Sequence, residues 1–162
     1  MIYNILVYLH IVAAFLWLGG MFFLGMVGAP VLRSVEPVEV RQRLFNDLGV
    51  RFRSVGWAAI TVLLLTGISI LEVRGVFRSG AFVDGAFWRT PFGMALAVKL
   101  AMVASMVALS AYHDFVLGPA ASRATPGSNE ALSLRRKAMM TARVSALLGL
   151  VLLYAATRLA RS

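Results

Sequence analysis

From Ile2 to Leu32 the chain carries no Asp, Glu, Lys or Arg; the first is Arg33. A transmembrane helix needs about 20 mainly apolar residues, so this stretch is long enough to cross a bilayer. It lacks the basic leader and short apolar core of a cleaved signal, and reads as a retained span. Three more runs follow. Val55–Leu71 is closed by Glu72 and Arg74. Phe92–Leu117 is interrupted by Lys99 and ended by His113-Asp114 and Gly118-Pro119. Ala138–Leu159 holds Arg143 one turn inside and Arg158 near its end. The pattern predicts an all-α integral membrane protein: a four-transmembrane-helix bundle forming one membrane domain over 1–162, with spans at about 2–32, 55–71, 92–117 and 138–159. Apolar residues make up 60% of the chain and charged residues 14%, against about 25% charged in soluble domains. A soluble molecule of this composition would expose large apolar patches, so a soluble enzyme is excluded.

The connections differ in character. Residues 33–54 are basic with helical periodicity and predict a short amphipathic helix at the membrane surface. Residues 73–90 set Gly75, Gly80 and Gly85 among Phe77, Phe82, Phe87 and Trp88, the pattern of an interfacial loop with aromatic anchors. Ala124-Thr125-Pro126-Gly127-Ser128-Asn129 is the clearest turn. No internal repeat stands out. Arg33, Arg41, Arg43, Arg51 and Arg53 lie before span two, and Arg123, Arg135, Arg136, Lys137 and Arg143 lie around the start of span four. The opposite side has Arg74, Arg78, Arg89, Arg158 and Arg161. The positive-inside rule puts the richer side in the cytoplasm and both termini on the outer side. The net charge of +9 then reports orientation, and a nucleic-acid partner is not expected.

There is no cysteine, which excludes disulfides, thiolate metal sites and covalent haem attachment through a C-x-x-C-H motif. Intramembrane ionisable residues are costly and usually functional, and three stand out: His10, Lys99 and His113. Counting ~1.5 Å per residue places His10 and Lys99 about 10–12 Å from the outer starts of their helices, and His113 about 33 Å in. An intrachain haem held by both histidines is therefore disfavoured. Lys99, Met106 and His113 are spaced seven apart, with Met102 on the same stripe; His10, Trp17 and Leu24 share that spacing in span one. Such stripes are what packed helices present to each other. Each residue also has a purely structural reading. His10 can bond a neighbouring hydroxyl, Lys99 can snorkel to the interface, and His113 beside Asp114 can sit at the boundary. Met102 and Met106 can be packing groups.

Several segments resemble the copper resistance protein D (CopD) family. They are Leu9-His10 followed by Trp17-Leu18-Gly19-Gly20, then Arg51-Phe52-Arg53-Ser54 with Thr66-Gly67, then Thr90-Pro91-Phe92-Gly93 leading to Lys99-Leu100. The first-span pattern and the Lys99…Tyr112-His113 pair are also similar to small four-span protoporphyrinogen oxidases of the HemJ type. That family is regarded as binding b-type haem in the membrane. The Lys-to-His interval of fourteen here is longer than in that family, and its Pro-Arg after the first-span motif is missing.

Three functions are open. The leading expectation is a membrane haem b protein with a redox or electron-transfer role, an oxidoreductase if it is an enzyme. His10 would be the axial ligand, Trp17, Gly19 and Gly20 would shape the ring's slot, and Lys99, Tyr154 and Arg158 would meet the propionates. A second haem at His113, with Arg53 or Arg143, extends that reading. The alternative is copper binding and transfer through His10, Met21, Met102, Met106 and His113, with Met139 and Met140 near the cytoplasmic mouth; His and Met suit Cu(I). The third is a non-catalytic subunit of a membrane complex. The expected partners are the lipid bilayer and a redox partner or a second copy of the chain, in a bacterial or archaeal cell (inner) membrane.

Overall fold

The computed structural model describes residues 1–125 and 128–159, with side chains to Ala156. Four long helices account for most of it: α1 (Ile2–Arg33), α2 (Val38–Val73), α3 (Pro91–Arg123) and α4 (Asn129–Leu159). All four are long and apolar enough to cross a membrane. Among the described residues there is no strand. The chain divides into two compact units, Met1–Gly93 and Met94–Ser162.

In the first unit α1 and α2 lie antiparallel, and bulky groups on each helix meet small ones on the other. The Trp17 ring lies over Gly56, where an added Cβ would stand 3.8 Å from its Cδ1. The Phe52 ring covers Gly20 so closely that a Cβ there would displace it. Leu48 faces Gly28, and the His10 imidazole faces Gly67. Ala13, Trp17, Leu18, Ala59 and Ile60 are buried along this seam. Helices in lipid gain little from burying apolar surface and associate through close packing at small residues. The remaining large apolar side chains, such as Phe15, Leu65 and Ile68, are exposed and meet the acyl chains.

Two helix boundaries depart from the sequence expectation. Residues 38–54 do not form a separate surface helix; they are the first half of α2, which runs unbroken for 36 residues. No proline or turn lies between Val38 and Val73. At ~1.5 Å per residue α2 is about 54 Å long, well beyond the ~30 Å hydrocarbon core, so its basic end projects from the membrane. Gly118-Pro119 does not end the third span either, since α3 continues to Arg123. A proline has no N–H and its ring crowds the carbonyl four residues back. In α3 the turn His113–Leu117 is widened, and the Gly118 N–H reaches back five residues to the His113 carbonyl. The same device precedes Pro30 in α1, where Leu24–Gly28 is widened and the Ala29 N–H bonds the Leu24 carbonyl. One wider turn absorbs the proline and the helix goes on. Of the predicted turn at 124–129, Ser128 caps α4 by accepting the Ala131 N–H at 3.1 Å; Pro126 and Gly127 lie outside the described residues.

The 73–90 connection folds into a cap. Gly75 and Gly80 take φ of 75° and 68°, which a side chain would resist. Phe77 stacks on Phe82 at 5.0 Å, and Trp88 meets Phe82 and Phe87 edge-on at 5.2 Å. The Trp88 indole N–H donates to the Phe82 carbonyl at 3.1 Å. Arg74 fastens the cap to both neighbouring helices, with its guanidinium 5.8 Å from the Tyr3 ring and 5.8 Å from the Phe92 ring. It also donates to the Tyr3 hydroxyl at 3.0 Å. Thr90 then starts α3: its hydroxyl accepts the Gly93 N–H at 3.0 Å and donates to the Phe87 carbonyl at 2.7 Å. Pro91 supplies a first helical residue that needs no hydrogen bond. Gly93 is required because any Cβ there would strike the Phe87 carbonyl. Thr90→Ala is expected to remove about 1 kcal/mol of stability, read as a lower thermal-unfolding midpoint in detergent. Gly93→Val should be more damaging than Thr90→Ala in the same assay.

Candidate functional site

His10 is the best-defined polar group inside a span. Seven residues inward from Tyr3, it is half-buried on the α2-facing side of α1. Its Nδ1 lies 2.8 Å from the Thr66 hydroxyl, 56 residues away in the chain. Thr66 is 6% exposed. Its oxygen is 2.6 Å from the Val62 carbonyl and 3.3 Å from the Leu63 carbonyl.

These distances favour one placement of the protons. A hydroxyl has one hydrogen to donate, and a carbonyl can only accept. Thr66 spends its hydrogen on the carbonyl of the preceding turn, so it accepts from His10, and the imidazole proton sits on Nδ1. In the neutral ring the lone pair is then on Nε2. A hydrogen bond from one ring nitrogen that fixes the other for coordination is the usual preparation of a metal-ligating histidine. The ring is held sideways as well, since an added Cβ on Gly67 would stand 3.5 Å from its Cε1. Thr66-Gly67 thus acts as a seat: the hydroxyl turns the imidazole and the glycine leaves it room.

The other expected site residues are placed as follows. Trp17 is 5% exposed and sits one widened turn inward of His10, in Phe15–Gly19. Gly19 meets Phe15 of its own helix at 3.9 Å, while the open face of Gly20 is taken by Phe52. In the second unit Lys99 and Met102 are half-buried, and Met106 is fully buried at 0%. His113 stands at the widened turn, its Nδ1 3.0 Å from the Asp114 carboxylate, and the pair is partly exposed. Tyr154 is 66% exposed, and the Arg158 side chain lies outside the described residues. Among the described residues no group of three or more His, Cys, Asp or Glu side chains gathers in one place.

Thr66 was not singled out as a site residue from the sequence. Its signal was the Thr-Gly pair inside an apolar span, at the height where an antiparallel α2 passes His10. Arg74 read only as a charge closing span two, yet it is the pivot of the cap.

A family model described as copper resistance protein D matches residues 48–159. A relative described only as an uncharacterised protein from Aquifex aeolicus is 34% identical over 77 residues, 46% of this chain and 52% of that protein. The chain thus spans about half the length of the curated relative it matches. No solved structure matches.

Thr66→Val removes the acceptor and leaves a partly buried imidazole N–H without its hydroxyl. The expected cost is about 1–3 kcal/mol. Nitrogen NMR of histidine-labelled protein is expected to show His10 protonated on Nδ1 in the wild type, and a changed tautomer population in the variant.

Proposed function

Because the chain belongs to the copper resistance protein D family, we propose that it is an integral membrane protein that moves copper, using His10 Nε2 as an intramembrane ligand. The observation that carries this reading is the His10–Thr66 hydrogen bond of 2.8 Å, which holds an imidazole in place inside the span. Imidazole and thioether donors suit copper, Cu(I) in particular. Met102, the buried Met106 and His113 are the further soft or borderline donors along span three, and Met21 lies inward of His10 on α1. A cargo ion must leave as readily as it enters. The expected setting is a bacterial or archaeal cell membrane, with the basic ends of α2 and α4 in the cytoplasm.

A second reading rests on the same nitrogen. A b-type haem needs only an axial imidazole from the chain, and His10 offers one without a chelating cluster. Bound there, haem would supply one-electron redox chemistry. His10 would hold it, and the cationic Lys99, together with Tyr154 and Arg158, would be the residues for its propionates.

One preparation distinguishes the readings. Protein purified from copper-supplemented cells is expected to carry copper by elemental analysis, and His10→Ala to lose most of it while keeping its helical circular dichroism. Copper content unchanged by His10→Ala would overturn the proposal. A Soret band in wild-type protein that is absent in His10→Ala would select the haem reading instead.

A further inference from the structure

The first turns of α4 carry a charge that its own sequence does not compensate. Arg135, Arg136, Lys137 and Arg143 follow one another closely, and no Asp or Glu occurs after Glu130. The basic stretch of α2 is different, since there Arg41 pairs with Glu36 at 3.2 Å and Arg43 faces Asp47 at 3.9 Å. Among the described residues, none of the four cationic side chains of α4 is in an ion pair or a hydrogen bond. All four are exposed. Whatever neutralises them comes from outside the chain.

The helix sorts these cations by face. Ala131, Ser145 and Gly149 are buried, with Ala138 and Thr141 half-buried, and they mark the packed side of α4. At 100° per residue, Arg136 and Arg143 stand within about 20° of each other on the opposite side. Arg135 and Lys137 fall on the flanks. Leu132, Met140 and Leu147 share the face of the two arginines and are 54%, 60% and 63% exposed, so this is apolar surface turned toward acyl chains.

Depth separates the pair. Arg136 precedes the apolar run that begins at Ala138, whereas Arg143 lies inside it, about 10 Å further along the axis. A guanidinium among acyl chains draws its head back to the interface. Side chains on a helix tilt toward its N-terminus, so the stem of Arg143 leads toward Arg136 and shortens the distance between the two cations. Both then serve one position at headgroup level, with apolar side chains directly below it.

We propose that Arg136 and Arg143 form a binding site for the phosphodiester of an anionic phospholipid, whose acyl chains lie along Met140 and Leu147. Guanidinium groups match phosphate oxygens in charge and in bidentate geometry. A zwitterionic headgroup brings its own ammonium, which two neighbouring arginines repel; an anionic headgroup brings none. The source is a lipid and not dissolved phosphate, because the apolar surface on either side of Arg143 continues the site into the bilayer. This site is independent of the copper reading and of His10.

The chain has no cysteine, so Met140→Cys carries a single fluorophore between the two arginines. In phosphatidylcholine vesicles, quenching by brominated phosphatidylglycerol is compared with quenching by brominated phosphatidylcholine. The anionic lipid is expected to quench at a mole fraction lower by about fivefold or more, the effect of at least one cation at the surface. Adding Arg136→Gln/Arg143→Gln is expected to bring the two lipids level. Adding Arg135→Gln/Lys137→Gln removes the same charge from the flanks and is expected to keep the preference. A fluorophore at Leu153→Cys, beyond the arginines on the same helix, should show none. Helical circular dichroism checks that each variant is folded.

Equal quenching by the two lipids in the labelled parent overturns the site. Equal losses in the two double variants overturn it as well, since they show diffuse attraction in place of a defined pair. Excess inorganic phosphate is expected to leave the preference intact, and its abolition would overturn the lipid as the source. Native mass spectrometry of the unlabelled chain gives a second reading. Retained phosphatidylglycerol is expected in the wild type and the flank variant, and is expected to be lost in Arg136→Gln/Arg143→Gln.

Discussion

A polar side chain in hydrocarbon must find its partners inside the protein, and the first hairpin is arranged around that demand at His10. The imidazole donates to Thr66, and Thr66 donates to the backbone of its own helix. The bond joins two helices across 56 residues of chain and fixes their rotation as well as their height. An α2 turned by one residue, about 100°, would carry Thr66 away and strand the imidazole N–H. The small residues along the seam complement this, since Gly56, Gly67 and Gly20 meet Trp17, His10 and Phe52 only in one register. One polar contact and a row of small-against-large contacts therefore select the same arrangement, and none need be strong alone.

The ends of the hairpin are treated oppositely. At the end near Tyr3 the chain closes into an aromatic cap, with Arg74 between two rings and hydrogen-bonded to Tyr3. A guanidinium is weakly hydrated for a cation and stacks well on aromatic faces, so it can sit at an interface where an ammonium would seek water. At the other end α2 is simply longer than the bilayer is thick, and its arginines reach the aqueous phase. The same covalent run thus serves as span and as an extension beyond it, which explains why basic residues and membrane-crossing residues belong to one helix.

The four spans were legible because apolar length is a one-dimensional property, visible without partners. His10, Lys99 and His113 stand out for the same reason: charge is scarce in apolar runs. The helix ends were misjudged wherever local chemistry pointed one way and the backbone had another solution. Pro119 is a stop signal by composition, but a widened turn lets α3 pass it. The basic stretch before Arg51 has surface-helix periodicity, yet nothing in it ends a helix, so it merges with α2. Thr66 was hidden for a different reason. A hydroxyl in an apolar span most often bonds its own preceding turn, which Thr66 does; its second role exists only once α1 stands opposite.

In the proposed reading the chemistry follows from how His10 is held. A metal ion held by several protein ligands is bound tightly, because the cost of ordering the ligands is met once and shared among many bonds. His10 is ordered by a hydroxyl and a glycine of α2. Preorganisation of a single donor lowers the barrier to forming a bond without making that bond hard to break. In the proposed copper reading this separates a transfer station from a store. In that same proposed reading Thr66 has a distinct part: it turns the imidazole and holds it against α2.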